Sequence, residues 1–158
     1  MAESWASAWQ TAEERTAKWL ASKLGQTFGK NAYVGEIPKN FAYTDREGMW
    51  WFGIQGGGTP QDYEFNMNTP GACNERLMSA EFEGVWTDRA DAQAVAGKLM
   101  DILPCAEYAI KQVRRLRITS DPSITRAVVQ RKEDLALGGD CQVWRVRVEL
   151  EILIKKVA

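Results

Sequence analysis

Along Arg76–Trp86 the even positions are Arg76, Met78, Ala80, Phe82, Gly84 and Trp86, while Ser79, Glu81 and Glu83 occupy odd ones. A period of two with the apolar set on one side predicts a strand covered on one face only. The period changes at Thr87-Asp88, where either residue can cap a helix and Asp88 and Asp91 add negative charge to its first turn. Ala92, Val95, Ala96, Leu99, Ile102 and Leu103 then recur at helical spacing until Pro104 ends the run. Glu75–Leu103 therefore reads as a strand feeding directly into an amphipathic helix, the unit on which the core is built.

Residues 3–24 predict a second helix. Trp5, Trp9, Ala12, Thr16, Trp19, Leu20 and Leu24 form its apolar stripe, Glu13, Glu14, Lys18 and Lys23 its solvated side, and Gly25 its C-terminal stop. The Trp residues fit core packing; Trp5 and Trp9, near a terminus, also suit a partner surface. Gln26–Asn40 is loop-like with a short strand at Tyr33–Ile37. Phe41–Thr44 and Met49–Ile54 follow as two strands around an Asp45-Arg46-Glu47-Gly48 turn. Met49-Trp50-Trp51-Phe52 is too continuously bulky for a strand with one wet face, so either both faces are covered or an aromatic reaches a subunit contact. Gly56-Gly57-Gly58-Thr59-Pro60 opens a connection to Cys73. No Lys-Ser/Thr follows the glycines, so a phosphate cradle is not indicated; a flexible arm, with a short strand at Tyr63–Met67, is the expectation.

After Ala106–Gln112, Val113–Thr119 reads as a strand, Ser120-Asp121-Pro122-Ser123 as a turn, and Ile124–Lys132 as a returning strand. Gln142–Lys156 alternates most cleanly: Trp144, Val146, Val148, Leu150, Ile152 and Ile154 on one side, Arg145, Arg147, Glu149, Glu151 and Lys155 on the other. At ~3.3 Å per residue it spans on the order of 50 Å. A helix over 88–103 covers about half of that, so the N-terminal helix, a bend or a second subunit must cover the rest. The predicted fold is one α+β domain: a mainly antiparallel twisted sheet, two helices on one face, and a mobile central loop over residues 56–73.

Composition narrows the chemistry. The chain of 158 residues has no His, which removes Ser–His–Asp and Cys–His catalysis and nearly every transition-metal site. Cys73, Cys105 and Cys141 are odd in number and widely spaced, as expected of free thiols in a reducing compartment. No secretory signal or membrane-length apolar run is visible, so no membrane is expected; without His or a phosphate-binding sequel to the glycine run, no cofactor is expected either. The net charge of −1 is unevenly spread: residues 1–110 hold 9 basic and 15 acidic side chains, residues 111–158 hold 11 and 6. A near-neutral chain so polarised can still present one positive surface.

Two constellations could carry chemistry. Glu81 and Glu83 lie two apart on one strand face, as paired carboxylates in acid–base catalysis do; but alternating Glu is also what an ordinary solvent face looks like, and cross-strand pairing with Arg145/Arg147 or Arg115/Arg117 explains them fully. Lys111, Arg114, Arg115, Arg117, Arg126, Arg131 and Lys132, joined by Arg145 and Arg147, form a basic set suited to phosphate backbones or an acidic protein, or to pairing with Glu81, Glu83, Glu149 and Glu151. It lacks interleaved aromatics and a recognition helix, so sequence-specific nucleic-acid binding is not expected.

The strand entering Thr87-Asp88-Arg89-Ala90-Asp91-Ala92-Gln93-Ala94, within Phe82–Ala94, and the closing Val143-Trp144-Arg145-Val146-Arg147-Val148-Glu149-Leu150 strand have a familiar arrangement. With the N-terminal helix and central loop, this order of elements resembles tail terminator (tail-completion) proteins of long-tailed bacteriophages and related neck proteins. The resemblance implies a non-enzymatic virion protein, assembled in the host cytoplasm, that forms a homohexameric ring, stops tail-tube growth and joins the tail to the head. Its implied partners are further copies of itself, the tube protein and a head-completion or neck protein. It would put Trp50, Trp51, Gly56, Gly57, Gly58, Tyr63, Phe65 or the long final strand at subunit or tube contacts. It would set Arg114, Arg115, Arg117, Arg126, Arg131, Arg145 and Arg147 beside a channel for DNA. The competing readings are another head–tail connector or tube-like phage protein, a nucleic-acid-binding or adaptor module, and a small carboxylate enzyme around Glu81 and Glu83.

Overall fold

The computed structural model describes residues 3–36, 48–57, 60–61, 74–130 and 140–157. Their order is α1 (Trp5–Leu24), β1 (Ala32–Val34), β2 (Met49–Gly56), β3 (Pro60–Gln61), β4 (Glu75–Trp86), α2 (Arg89–Ile102), β5 (Val113–Ile118), β6 (Ser123–Gln130) and β7 (Asp140–Lys155). It is an α+β fold, a mostly antiparallel sheet with the helices packed on it. Both helices carry the ends their sequences call for. Ser4 accepts from Ser7 N–H ahead of α1, Gly25 closes α1 in the left-handed region, and Asp88 accepts from Ala90 N–H ahead of α2.

The sheet is built outward from β4 and β7, which pair antiparallel without a register break from Glu75/Lys155 to Trp86/Trp144. β2 pairs antiparallel with β4, and β1 lies parallel to β2 as the outer strand on that side. β3 continues beyond β2 along the same edge of β4, matching Pro60 to Arg76. The other edge of β7 repeats the device. β5 pairs with its C-terminal part, Leu116 opposite Ile152, and β6 with its N-terminal part, Ile124 opposite Val146.

This corrects one expectation. Ser120-Asp121-Pro122-Ser123 does not return the chain beside β5; β5 and β6 run on, end to end, along one long partner. β7 has sixteen residues, and β5 fills only part of its free ladder. Continuing along β7 satisfies more backbone groups than turning away from it.

The even-numbered residues of β4 and β7 form the helix-bearing face. Phe82, Val146, Val148, Ile152 and Ile154 are fully buried there, with Phe52 and Trp50 of β2 beside them. Trp50 and Phe82 have ring centroids 4.9 Å apart, and Trp86 lies 6.4 Å beyond Phe82. Aromatic pairs of this geometry add about 0.5–1.5 kcal/mol to what their burial contributes. Gly84 makes the stack possible: a Cβ there would meet Trp50 Cβ and Trp86 Cη2, each at 2.6 Å.

The long strand needs no second subunit to cover it. α2 lies toward the Trp144 end, where Arg89 sits over that indole. The start of α1 lies at the other end, where Trp5 meets Lys156 and Glu3 bonds Val157. The subunit-contact role suggested for the final strand therefore fails for its apolar face, which two helices of the same chain bury.

α1 also closes an edge. β1 flanks β2 only as far as Phe52, which accepts from Gly35 N–H. Beyond it, Ile54 N–H donates to Glu13 Oε2 at 2.8 Å, and Trp9 Nε1–H donates to Ile54 O at 3.0 Å. Two helix side chains thus stand in for a neighbouring strand where the register of β2 on β4 slips between Ile54 and Gly56. Gly56 lies under the same indole at φ +75°, and a Cβ there would meet Trp9 Cη2 at 2.7 Å.

Candidate functional site

The helix-free face carries most of the residues singled out from the sequence, arranged as alternating charges. Glu83 stands opposite Arg147, Glu81 opposite Glu149, Ser79 opposite Glu151, and Arg117 opposite Glu151 on the far side. Direct opposition of Glu81 and Glu149 is unfavourable alone, and the arginines offset it diagonally. Arg147 Nη2 lies 2.9 Å from Glu81 Oε1 and its Nε 3.9 Å from Glu83; Arg145 Nε lies 3.1 Å from Glu83. Gln55 Nε2–H adds a bond to the second Glu81 oxygen. Arg115 and Arg117 share Glu151, at 3.6 and 2.8 Å. The hydrogen bond to Glu81 is the main reason the Arg147 guanidinium holds its proton still more firmly than usual.

Arg114 sits at the bulge between Val113 and Arg115, and its Nη1 reaches both oxygens of Glu75, at 2.9 and 3.0 Å. Glu75 is the one buried charged residue among the described residues, so this partner matters more than the surface pairs do. Glu107 takes the Nε of the same guanidinium.

Five arginines expected to form a positive channel surface, Arg114, Arg115, Arg117, Arg145 and Arg147, thus face carboxylates instead. The arginines of β5 and β7 are taken up in ion pairs with Glu75, Glu81, Glu83, Glu107 and Glu151. A concavity of about 430 Å³ opens on this face between Gln55, Glu81, Thr119, Arg147, Glu149 and Glu151. Its carboxylates are already engaged: Glu81 and Glu151 by arginine, Glu149 by the Ser120 hydroxyl at 3.3 Å. Glu81 and Glu83 are each paired to arginine, the arrangement that the cross-strand reading expects. Among the described residues no cluster of metal-ligating side chains is placed to hold an ion.

The proposed contact residues separate. Trp50 is completely buried between Phe82 and Gly84, so it packs this chain's own core and offers nothing to a neighbour. Trp51, on the opposite side of β2, is half-buried over Gly53 on the helix-free face. Gly56 is buried beneath Trp9, and Gly57 follows in the left-handed region with open space around it. Gly58, Tyr63, Phe65, Arg131 and Lys132 lie outside the described residues, as do the expected Phe41–Thr44 and Tyr63–Met67 strands and most of the expected central arm.

Among the described channel candidates Arg126 is the exception. It lies on β6 opposite Trp144, and its guanidinium stands 5.5 Å from the Trp144 ring centroid. Arg89, at the first position of α2, stands 5.5 Å from the same ring. The sequence reading missed this cluster because Arg89, Arg126 and Trp144 lie on three elements. Only the β6–β7 register and the start of α2 bring them together. Cys105 is half-buried, and burial pushes its thiol above the ordinary range, away from reactivity near neutral pH. No helix among the described residues is long and apolar enough to cross a membrane. No protein-family model matches the chain, and no curated protein sequence matches it.

Proposed function

We propose that this chain is a structural virion protein of a long-tailed bacteriophage, a ring-forming subunit at the head-proximal end of the tail tube. In this reading it ends tube growth and presents the surface to which the head or neck attaches. The observation that carries the reading is the adjacency of the two segments that prompted it. Phe82–Ala94 and Val143–Leu150 fall on neighbouring strands, Phe82 paired with Val148 and Trp86 with Trp144, and α2 begins three residues after β4 ends. They form one structural unit rather than two scattered likenesses.

The rest of the molecule supports a scaffold role. Its carboxylates and arginines cancel one another on an open sheet face, an arrangement suited to holding a rigid shape in water. Among the described residues, the arginines of β5 and β7 that the adaptor or nucleic-acid-binding reading would use are paired with carboxylates, while Arg126 on β6 is not. The expected partners are other copies of this chain in a hexamer, the tube protein, and a head-completion or neck protein. Light scattering and co-sedimentation test the assembly directly. The proposal expects a ring-sized mass, alone or with tube protein, and sedimentation with assembled tubes. A chain that stays monomeric in both conditions and never sediments with tubes contradicts it.

A further inference from the structure

The Arg89–Trp144–Arg126 cluster has the form of a phosphate-binding fork. Both guanidiniums lie 5.5 Å from one indole centroid, and both arginines are exposed while Trp144 is half-buried. Stacking uses the flat face of a guanidinium and leaves its N–H edge free to bond an anion. It also limits the rotamers the long side chain would otherwise sample, so less entropy is lost on binding. Among the described residues neither arginine has a carboxylate within ion-pair distance, unlike Arg114, Arg115, Arg117, Arg145 and Arg147. The neighbouring Asp88 has its carboxylate engaged by Ala90 N–H as the cap of α2, and Asp91 follows in the exposed first turn. These two negative charges moderate the site's attraction for anions without occupying the arginines.

We propose that this cluster is a contact site for the phosphodiester backbone of a nucleic acid, engaging one phosphate per arginine without reading bases. Both guanidiniums lie over the indole, so Trp144 is assigned the part of a positioning residue and not of a platform for a base. The inference does not rest on the tail reading; it concerns the isolated chain and the helix-bearing side of β7, opposite the ion-paired Arg145 and Arg147.

Fluorescence anisotropy of a labelled DNA duplex and of the corresponding single strand, titrated with the full chain over a range of salt, tests it. Each phosphate contact contributes about 0.9 to the log–log salt slope on duplex and about 0.7 on single strand. Arg89→Gln and Arg126→Gln are each expected to remove about that much slope, on whichever form of DNA binds. Arg117→Gln, whose guanidinium is held by Glu151, should leave the slope unchanged. Trp144→Leu should weaken binding while keeping the slope, because the charges remain and only their positioning is lost. Absence of salt-dependent binding to either form, or slopes unchanged in both Arg89→Gln and Arg126→Gln, overturns the proposal. So does equal binding of polyglutamate through the same two arginines, which would assign the site to acidic polypeptides.

Discussion

Gly84 shows how a single atom governs this core. Trp50, Phe82 and Trp86 converge near the C-terminal end of β4 because a hydrogen occupies the place of a side chain at Gly84. In Gly84→Ala the added methyl must displace two tryptophan side chains in a packed interior. Overpacking of this kind costs about 1–3 kcal/mol. Urea unfolding should therefore show a lower midpoint with an unchanged m-value; an unaltered midpoint would mean that the aromatic stack relaxes freely. Residue identity alone was enough to put Gly84 on the apolar face, since it falls on an even position between Phe82 and Trp86. It did not reveal why glycine is needed, because the second tryptophan, Trp50, arrives from another strand. Trp50 itself was legible only as an alternative, core or contact. Cross-strand register decided for the core.

At the scale of elements, most of the fold was written in periodicity. The β4–α2 unit, the N-terminal helix and the long last strand run close to where the hydrophobic pattern puts them, and the Glu/Arg alternation gave the cross-strand pairs. Two features escaped it for the same reason. The path of β6 and the clustering of Arg89, Arg126 and Trp144 depend on which strand edge is free, and no local pattern records that. One signal was available for the cluster: a β6–β7 hairpin in simple register brings Arg126 opposite Trp144.

The docking of α1 is likewise a long-range event, and it has a titratable clasp. Glu3 N–H donates to Val157 O, while the Glu3 carboxylate accepts from Val157 N–H and Gln112 Nε2–H. Arg15, about three helix turns further along, donates to the Gln112 side-chain oxygen Oε1. The Val157 N–H is the leading cause that holds the Glu3 carboxyl below its ordinary value, with Gln112, Arg15 and Lys156 adding to it and partial burial opposing them. A depressed carboxyl pKa stabilises the fold at pH values above the unfolded value of about 4.3, and that contribution fades as the pH falls through the folded value. Wild-type chain should thus melt higher than Glu3→Gln at neutral pH, with the gap closing in acid. Thermal melts from pH 7 downward check this, and a gap of constant size at every pH would exclude the carboxylate as its source.

For the molecule as a whole, the folded chain places its apolar surface, its charges and its sheet edges differently from one another. One sheet face is buried under two helices, the other is laced with ion pairs, and the Ile54 edge is closed by Trp9 and Glu13. Such a body suits a building block whose neighbours meet it at loops and edges. The tail reading gives that shape a purpose, and head–tail connectors of similar architecture differ from it in which joint they occupy. Electron microscopy of tails made with this chain's gene intact or disrupted decides between them. Loss of the chain should yield tubes of unregulated length if it ends tube growth; tails of normal length that merely lack heads would contradict termination and point to a connector.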